Sequence, residues 1–258
     1  MLCQYNIESN LNLKKIVTSF KEDWNVESNK VFFFKSNIDI SDIKNFYFNL
    51  FSDIGKFLPL AEDAEIKDRN KQKNNKIWME VRFDPSIKNA YRHSASAQPL
   101  HTDGSYNPNY PTSTLMCCEN NTSEKGETIF IDACKIAKIL KNEECDLYDK
   151  LKNSSIKHER SGDVRICPVL KKISENKWYV NWNYYCISKN ISADEILLKE
   201  SFQKFLTSNK SVKSNLLELK MNRGDALVWK DNEVLHGRNS FIPKENSSRF
   251  IWKCAIDF

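Results

Sequence analysis

From Ile77 onward, the sequence alternates short runs of β-forming residues with turn signals. Many short strands of this kind indicate a β-barrel or a jelly roll rather than an α/β sheet. We predict strands over residues 77–83, 97–106, 112–119, 127–132, 164–173, 177–186, 225–230 and 233–241. A closing strand is predicted within residues 247–253. The fold class is therefore expected to be mainly β.

Helices are predicted before this region and between its strands. Apolar spacing places them at residues 9–24, about 41–54, 135–152 and 194–208. Asp132 is a candidate N-cap for the third of these helices. Residues 31–34 are dense in β-formers and predict a buried strand. Residues 61–76 are almost wholly polar and predict a surface loop, which is also a candidate lid over a site.

The bulk properties favour one soluble domain. A chain of 258 residues can bury a sizeable core, so we expect a single domain over 1–258. In it, residues 1–76 form a helical N-terminal part with a polar loop at 61–76, and residues 77–258 form the jelly-roll core. The lysines are scattered despite a net charge of +5, which argues against nucleic-acid binding.

The sequence shows no apolar run long enough for a membrane span and no secretory signal. Its eight cysteines have no C-x-x-C or zinc-finger spacing. We therefore expect a reduced, cytoplasmic protein that acts on a small molecule, with a homo-oligomer as an open possibility.

A histidine and a carboxylate lie two residues apart in the segment His101-Thr102-Asp103. On a strand, such residues point to the same face. His236 follows far downstream in what we interpret as the second strand of a hairpin. Two histidines and one carboxylate on one face leave coordination positions open and suit a non-heme Fe(II) that also binds a co-substrate and O2.

Cationic residues near the C-terminus predict an anion beside this metal site. Arg249 and Lys253 share one face of the closing strand with Ile251, and buried charges need partners. A guanidinium can bind the carboxylate of a small dicarboxylate through two hydrogen bonds. Thr128, in the strand 127–132, could donate a further hydrogen bond to that carboxylate.

These segments resemble the Fe(II)/2-oxoglutarate-dependent dioxygenases of the TauD/TfdA-like superfamily, and the best local match is the branch of γ-butyrobetaine and trimethyllysine hydroxylases. The resemblance covers about residues 77–258, and more faintly 31–58. Its motifs, in order, are Leu100-His101-Thr102-Asp103, Gly126-Glu127-Thr128-Ile129-Phe130-Ile131-Asp132, Trp229-Lys230-Asp231-Asn232 leading into His236-Gly237-Arg238, and Arg249.

The resemblance implies a double-stranded β-helix (jelly roll) and a division of labour among these residues. His101, Asp103 and His236 would be the iron ligands and form the catalytic centre. Thr128 and Arg249 would bind the distal carboxylate of the co-substrate 2-oxoglutarate. The expected reaction is hydroxylation or desaturation of an unactivated C–H, with O2 consumed and succinate and CO2 released. Related halogenases replace the acidic ligand with a small residue, so the presence of Asp103 argues against halogenation.

The substrate is predicted only by class, as amino-acid-like or betaine-like. The zinc-binding N-terminal domain of the γ-butyrobetaine branch has no counterpart here, which weakens the case for a carnitine-type substrate. Candidate substrate residues are Tyr106, Asn183, Lys253 and Arg238, and further arginines that could hold a substrate carboxylate are Arg82, Arg92 and Arg165. Lys253 stands where related enzymes often have a second arginine.

Two alternatives belong to other classes. A cupin-like metal-dependent hydrolase or isomerase would use the same three ligands without 2-oxoglutarate, and would leave Thr128 and Arg249 idle. A non-catalytic jelly-roll binding module would have no need for the complete ligand set.

Overall fold

The computed structural model describes residues 1–60, 76–87, 91–160, 162–246 and 248–258. The polar segment 61–76, predicted above as a surface loop and candidate lid, lies outside the described residues except for Lys76. All eight cysteines are free thiols. Among the described helices, none combines the length and the apolar composition needed to cross a membrane.

The strands are β1 (Leu2–Ile7), β2 (Val31–Ser36), β3 (Lys56–Leu58), β4 (Met79–Arg82), β5 (Gln98–His101), β6 (Ser113–Asn121), β7 (Glu124–Lys125), β8 (Thr128–Asp132), β9 (Ser155–Arg160), β10 (Asp163–Pro168), β11 (Leu170–Lys172), β12 (Trp178–Val180), β13 (Leu217–Leu219), β14 (Ala226–Lys230), β15 (Val234–Arg238), β16 (Phe241–Ile242) and β17 (Arg249–Asp257). The helices are α1 (Leu13–Trp24), α2 (Ile43–Phe51), α3 (Ala133–Glu143), α4 (Cys145–Asn153), α5 (Ala193–Ser208) and α6 (Lys210–Ser214). Short 3-10 turns lie at Asn10–Asn12, Tyr91–His93 and Tyr184–Cys186.

Two sheets form the centre of the described structure. The larger has seven strands in the order β1-β2-β14-β6-β17-β3, with β4 also paired to β17. The smaller has four strands in the order β13-β8-β15-β5. The β1–β2 pair is parallel, and both sheets are otherwise antiparallel. Two-stranded pairs β9–β10, β11–β12 and β7–β16 complete the set of described strands.

The larger sheet is buried on both faces, which explains its continuous apolar runs. Along β6, Leu115 and Cys117 pack toward one side, whereas Met116 and Cys118 belong to a cluster on the other. Side chains alternate along a strand, so a strand covered on both faces needs apolar residues at consecutive positions. The inner cluster also contains Phe130 and Val234 from the smaller sheet. The two sheets therefore pack face to face.

Helices cover the outer faces of this sandwich. Side chains of α1 and α2, such as Phe20 and Phe51, pack with the outer face of the larger sheet. Helices α3 to α6 pack on the smaller sheet, where they contact residues such as Ile131 and Leu235. Asp132 is the N-cap of α3, since its side chain accepts a hydrogen bond from the Cys134 amide. The prediction of a mainly β jelly roll with flanking helices is confirmed.

The predicted hairpin that ends in His236 is wrong. Strand β14 pairs with β2 and β6 in the larger sheet, whereas β15 pairs with β8 and β5 in the smaller one. The turn between them crosses from one sheet to the other. Asp231 in this turn is completely buried, whereas a hairpin turn at a sheet end would leave it exposed. The pattern Asp-Asn indicates a turn but does not distinguish the two connections.

Several boundaries also differ from the predicted ones. The helix expected over 135–152 is two helices that meet at Glu144. The strand expected over 177–186 ends at Val180, and the one expected over 97–106 ends at His101. Residues 1–60 contribute three strands to the larger sheet, of which only the one at 31–34 was predicted. The others are short or rich in polar residues, so periodicity did not reveal them.

Stability in mild acid should depend on His158 of β9, which is completely buried. Burial lowers the pKa of His158 to about 4, and the charge of Arg165 acts in the same direction. As the pH falls, His158 takes up a proton near pH 6.5 in the unfolded chain, but only near pH 4 in the folded chain. Stability from this residue is present at neutral pH and is lost as the pH falls through that window.

We predict that lowering the pH from 7 to 5 costs roughly 2 kcal/mol through His158 alone. Urea unfolding of the wild type and of His158→Gln at both pH values measures this difference. The variant should be less stable at pH 7 but lose less stability on acidification. Equal losses in the two proteins would contradict the assignment.

Candidate metal centre

Three elements bring His101, Asp103 and His236 together. His101 ends β5, and Asp103 lies in the turn that follows, so the shared strand face expected for this pair is replaced by a strand end and a turn. His236 lies on β15 directly opposite His101. One donor atom from each of the three residues lies within 4.8 Å of the other two.

Gly237 allows β5 and β15 to approach closely beside the ligands. A Cβ at this position would lie 2.6 Å from the carbonyl oxygen of Gln98. Any other residue would therefore push the two strands apart. The ring centroids of His101 and His236 are 4.2 Å apart, so the glycine is part of what sets the spacing of the two imidazoles.

The ligand set fits a divalent first-row metal ion. His101 Nε2 lies 3.7 Å from Asp103 Oδ1, and His236 Nε2 lies 3.6 Å from Asp103 Oδ2. An ion bound about 2.0–2.2 Å from each donor spans such separations. His236 Nε2 is buried and has no hydrogen-bond partner, which is costly unless a ligand satisfies it. Two neutral imidazoles and one carboxylate are the donors that suit Fe(II).

Electrostatics prepare these groups for binding a metal ion. Burial lowers the pKa of both His101 and His236 to about 4, so each imidazole is neutral at pH 7, as metal binding requires. Burial opposes ionisation of Asp103, but the ammonium of Lys253, followed by the two histidines, outweighs it and holds the pKa of Asp103 below its usual range. The carboxylate is therefore charged.

Asp231 contacts both Asp103 and His236, and it was not among the predicted site residues. Its Oδ2 accepts a hydrogen bond from the Asp103 amide at 2.8 Å, and its Oδ1 accepts one from Trp229 Nε1 at 2.9 Å. Oδ1 also lies 3.2 Å from His236 Nδ1. Burial, with the charge of Asp103, raises the pKa of Asp231. The motif Trp229-Lys230-Asp231-Asn232 contained this residue, but its role depends on the crossing between sheets that the sequence did not reveal.

The larger sheet supplies two groups that hold Asp103. Lys253 Nζ pairs with Asp103 Oδ2, and Thr114 Oγ1 donates to the same oxygen at 3.2 Å. His101 is held separately, because its Nδ1 lies 2.9 Å from the Pro99 carbonyl oxygen. This contact favours the ring proton on Nδ1 and leaves Nε2, which lies 3.2 Å from Gln98 Nε2, as the nitrogen that can bind a metal ion.

Arg249, Thr128 and Arg238 also face the space between the sheets. Arg249 and Ile251 lie two residues apart on β17 and therefore share one face of the strand. Thr128 is the direct cross-strand neighbour of Arg238. The guanidiniums of Arg249 and Arg238 lie 5.8 and 5.0 Å from the ring of Phe241. Arg249 Nε is buried without a hydrogen-bond partner. Burial lowers the pKa of Arg249 to about 10 and of Arg238 to about 9, so both remain cationic at neutral pH.

Arg238 donates hydrogen bonds to nearby backbone carbonyl groups. Its Nη2 donates to the carbonyl oxygens of Tyr91, Ser94 and Ser96, at 3.2, 2.8 and 2.6 Å. These contacts tie the segment before β5 to the smaller sheet.

The remaining substrate candidates lie around the metal segment. Tyr106 is half-buried, and the Arg160 guanidinium lies 5.9 Å from its ring. Asn183 caps the 3-10 turn that follows it, because its side chain accepts from the Tyr185 amide. The sequence had placed Asn183 on a strand, whereas it lies beyond the end of β12.

A jelly roll with two histidines and a carboxylate between its sheets is typical of non-heme Fe(II) oxygenases. The model of the "Taurine catabolism dioxygenase TauD, TfdA family" matches residues 27–255. The chain belongs to this family, whose members are Fe(II)/2-oxoglutarate-dependent oxygenases. It is therefore an enzyme that requires Fe(II), 2-oxoglutarate and O2.

Solved structures of related enzymes share the fold. The non-heme iron oxygenase OrfP, in complex with Fe and α-ketoglutaric acid, gives a TM-score of 0.68 at 13% identity, over 94% of this chain and 79% of OrfP. An asparagine oxygenase with Fe(II), hydroxyasparagine and succinate gives 0.65 at 9% identity, over 95% and 79%. PvcB from Pseudomonas aeruginosa gives 0.64 at 12% identity, over 98% and 84%.

No curated protein sequence matches the chain. The predicted relation to the γ-butyrobetaine and trimethyllysine hydroxylases therefore stays a prediction. Family membership removes the two alternatives from other classes, the cupin-like hydrolase and the non-catalytic module.

Metal affinity should depend on Asp231, since its side chain accepts from the Asp103 amide and lies 3.2 Å from His236 Nδ1. We predict that Asp231→Asn lowers Fe(II) affinity by about 10- to 100-fold, the usual effect of removing a group that holds metal ligands. Anaerobic competition with a chromogenic chelator measures the affinity. Asp39→Asn is the matched control, because Asp39 is exposed and pairs only with surface Arg223 among the described residues. Equal affinities of Asp231→Asn and the wild type would contradict this role.

Proposed function

We propose that this enzyme hydroxylates an unactivated C–H bond of a small amino-acid-like substrate, with release of succinate and CO2. The observation that carries the proposal is the placement of a metal-ligand set and the buried guanidinium of Arg249, whose Nε has no hydrogen-bond partner, between the same two sheets. A dicarboxylate co-substrate needs both, one at each end.

The residues divide between the metal and the co-substrate. His101, Asp103 and His236 would hold Fe(II), and Thr128 and Arg249 would bind the distal carboxylate of 2-oxoglutarate. The iron supplies the activation of O2 that the protein's own side chains cannot provide. The buried surroundings of Arg249 exclude water and so strengthen its hydrogen bonds to the co-substrate.

Lys253 and Arg238 have different tasks in this proposal. Lys253 neutralises Asp103 in the protein alone, and its charge lies beside the metal position. A bound ion would neutralise Asp103 instead, and the Lys253 ammonium could then pair with a carboxylate of the co-substrate or the substrate. Arg238 positions the segment 91–96 rather than contacting substrate, because its Nη2 already donates to three carbonyls there.

An amino-acid-like substrate is favoured over a betaine. A quaternary ammonium is bound by a cage of aromatic faces. In the aromatic segment near the site, Trp178 and Trp182 belong instead to the hydrophobic core. Structures of OrfP contain (3S)-hydroxy-L-Arg, and the asparagine oxygenase contains hydroxyasparagine, so enzymes of this fold accept amino acids.

Two measurements test the function. Anaerobic addition of Fe(II) and 2-oxoglutarate should produce a weak visible charge-transfer band, which should be absent in His236→Ala. A succinate-release screen over amino acids, betaines and sulfonates, with ascorbate present, should then give substrate-dependent turnover by an amino acid. The absence of the band in the wild type would overturn the co-substrate assignment, and stimulation by a betaine alone would overturn the substrate class.

Arg249 should determine the affinity for 2-oxoglutarate. We predict that Arg249→Gln weakens 2-oxoglutarate binding by about 2–4 kcal/mol, which corresponds to roughly 30- to 1000-fold. The concentration dependence of the charge-transfer band measures this change. Arg223→Gln, at an exposed position, is the control for loss of one positive charge. A comparable affinity in Arg249→Gln and in the control would contradict the assignment.

A further inference from the structure

A second group of unsatisfied polar atoms lies beside the metal-binding segment. His158 on β9 and Arg165 on β10 are direct cross-strand partners, so their side chains project from the same face. Ser105 follows Asp103 by two residues and is completely buried, as is His158. Ser105 Oγ, His158 Nε2 and Arg165 Nη1 are all buried and have no hydrogen-bond partner. We name these three residues the Ser105 cluster.

Hydrogen bonds connect the Ser105 cluster to the metal ligands. Asn181 Nδ2 donates to the Ser105 carbonyl oxygen at 3.1 Å and lies 3.3 Å from His158 Nδ1. The next residue, Trp182, accepts from the Thr102 amide at 2.7 Å. Thr102 stands between the ligands His101 and Asp103. The cluster is therefore adjacent to the metal centre and is held in register with it.

The chemistry of the Ser105 cluster suits an anion. The amide nitrogen of Asn181 lies 3.3 Å from His158 Nδ1, and His158 Nε2 has no hydrogen-bond partner. Ser105 Oγ and Arg165 Nη1 are hydrogen-bond donors. The guanidinium carbon of Arg165 lies over the ring of Tyr110, 3.7 Å from its centroid. Unsatisfied donors that include a guanidinium call for a planar acceptor with negative charge, which is a carboxylate.

We propose that Ser105, His158 and Arg165 bind the free carboxylate of the primary substrate. This inference rests on the proposed function and narrows it. An amino acid tethered to a carrier through its carboxyl group has no free carboxylate for the cluster. The enzyme therefore acts on the free acid. Arg249 beside Phe241 and Arg165 beside Tyr110 then serve two different carboxylates, one of the co-substrate and one of the substrate.

The test is an NMR titration of His158 with acetate, the smallest carboxylate probe. The protein is loaded with Zn(II) and 2-oxoglutarate, so that the metal is diamagnetic and the Arg249 site is filled. The chain has four histidines, and His158→Gln identifies the His158 ring signal by its loss. Acetamide, the neutral analogue of acetate, is titrated in parallel. This titration measures no turnover, so its failure and failure of the proposed activity are distinguishable.

We expect acetate to shift the His158 ring signal saturably and acetamide to leave it unchanged. Arg165→Gln should weaken acetate binding by at least about tenfold, Arg165→Lys should weaken it less, and Arg223→Gln should not. If Arg165→Gln fails to fold, the comparison of Arg165→Lys with Arg223→Gln decides. Three results would overturn the proposal, namely no saturable shift with acetate, an equal shift with acetamide, or equal weakening of acetate binding by Arg223→Gln. Buried water alone would then satisfy the cluster.

Discussion

The carboxylate of Asp103 is the interaction on which the arrangement of this protein depends. The smaller sheet brings His101 and His236 to it, and the larger sheet brings Lys253 and Thr114. A charge placed between two sheets is costly unless it is paired and hydrogen-bonded. The two sheets therefore meet at a polar centre, while Phe130, Val234 and their neighbours provide the apolar packing around it.

The turn between β14 and β15 shows how the fold itself builds this centre. Because the chain crosses from one sheet to the other at Asp231, a buried carboxylate arrives behind both Asp103 and His236. In a hairpin the same residue would face solvent and could not reach the ligands. The burial of Asp231 is thus a consequence of topology, and the second layer of the metal centre follows from it.

The sequence was sufficient to predict most of the local secondary structure and to identify the residues of the family motifs. Alternation and turn signals predicted most strands of the core, and the spacing of His101 and Asp103 predicted a shared direction that the structure achieves through a strand end and a turn. What could not be predicted depends on long-range pairing. The sheet crossing at Asp231 and the β1–β2 parallel pair join segments whose spacing carries no periodic signal. The opposition of His158 and Arg165 is local, and it was missed because no strand was predicted over residues 155–160.

Lysine at position 253 changes the balance of charge at the metal centre. An ammonium is a compact charge with rotatable donors, whereas a guanidinium has a rigid fork that binds carboxylates in two places. Because Lys253 is paired with Asp103, two-point recognition of carboxylates is left to the arginines near the site. Arg238 is occupied by the carbonyls of the segment before β5. Arg238, Arg249 and Arg165 each have one buried nitrogen without a hydrogen-bond partner, and the guanidiniums of Arg249 and Arg165 lie 5.8 and 3.7 Å from the rings of Phe241 and Tyr110. In the roles proposed above, Arg249 and Arg165, rather than Lys253, would orient two different acids toward one metal ion.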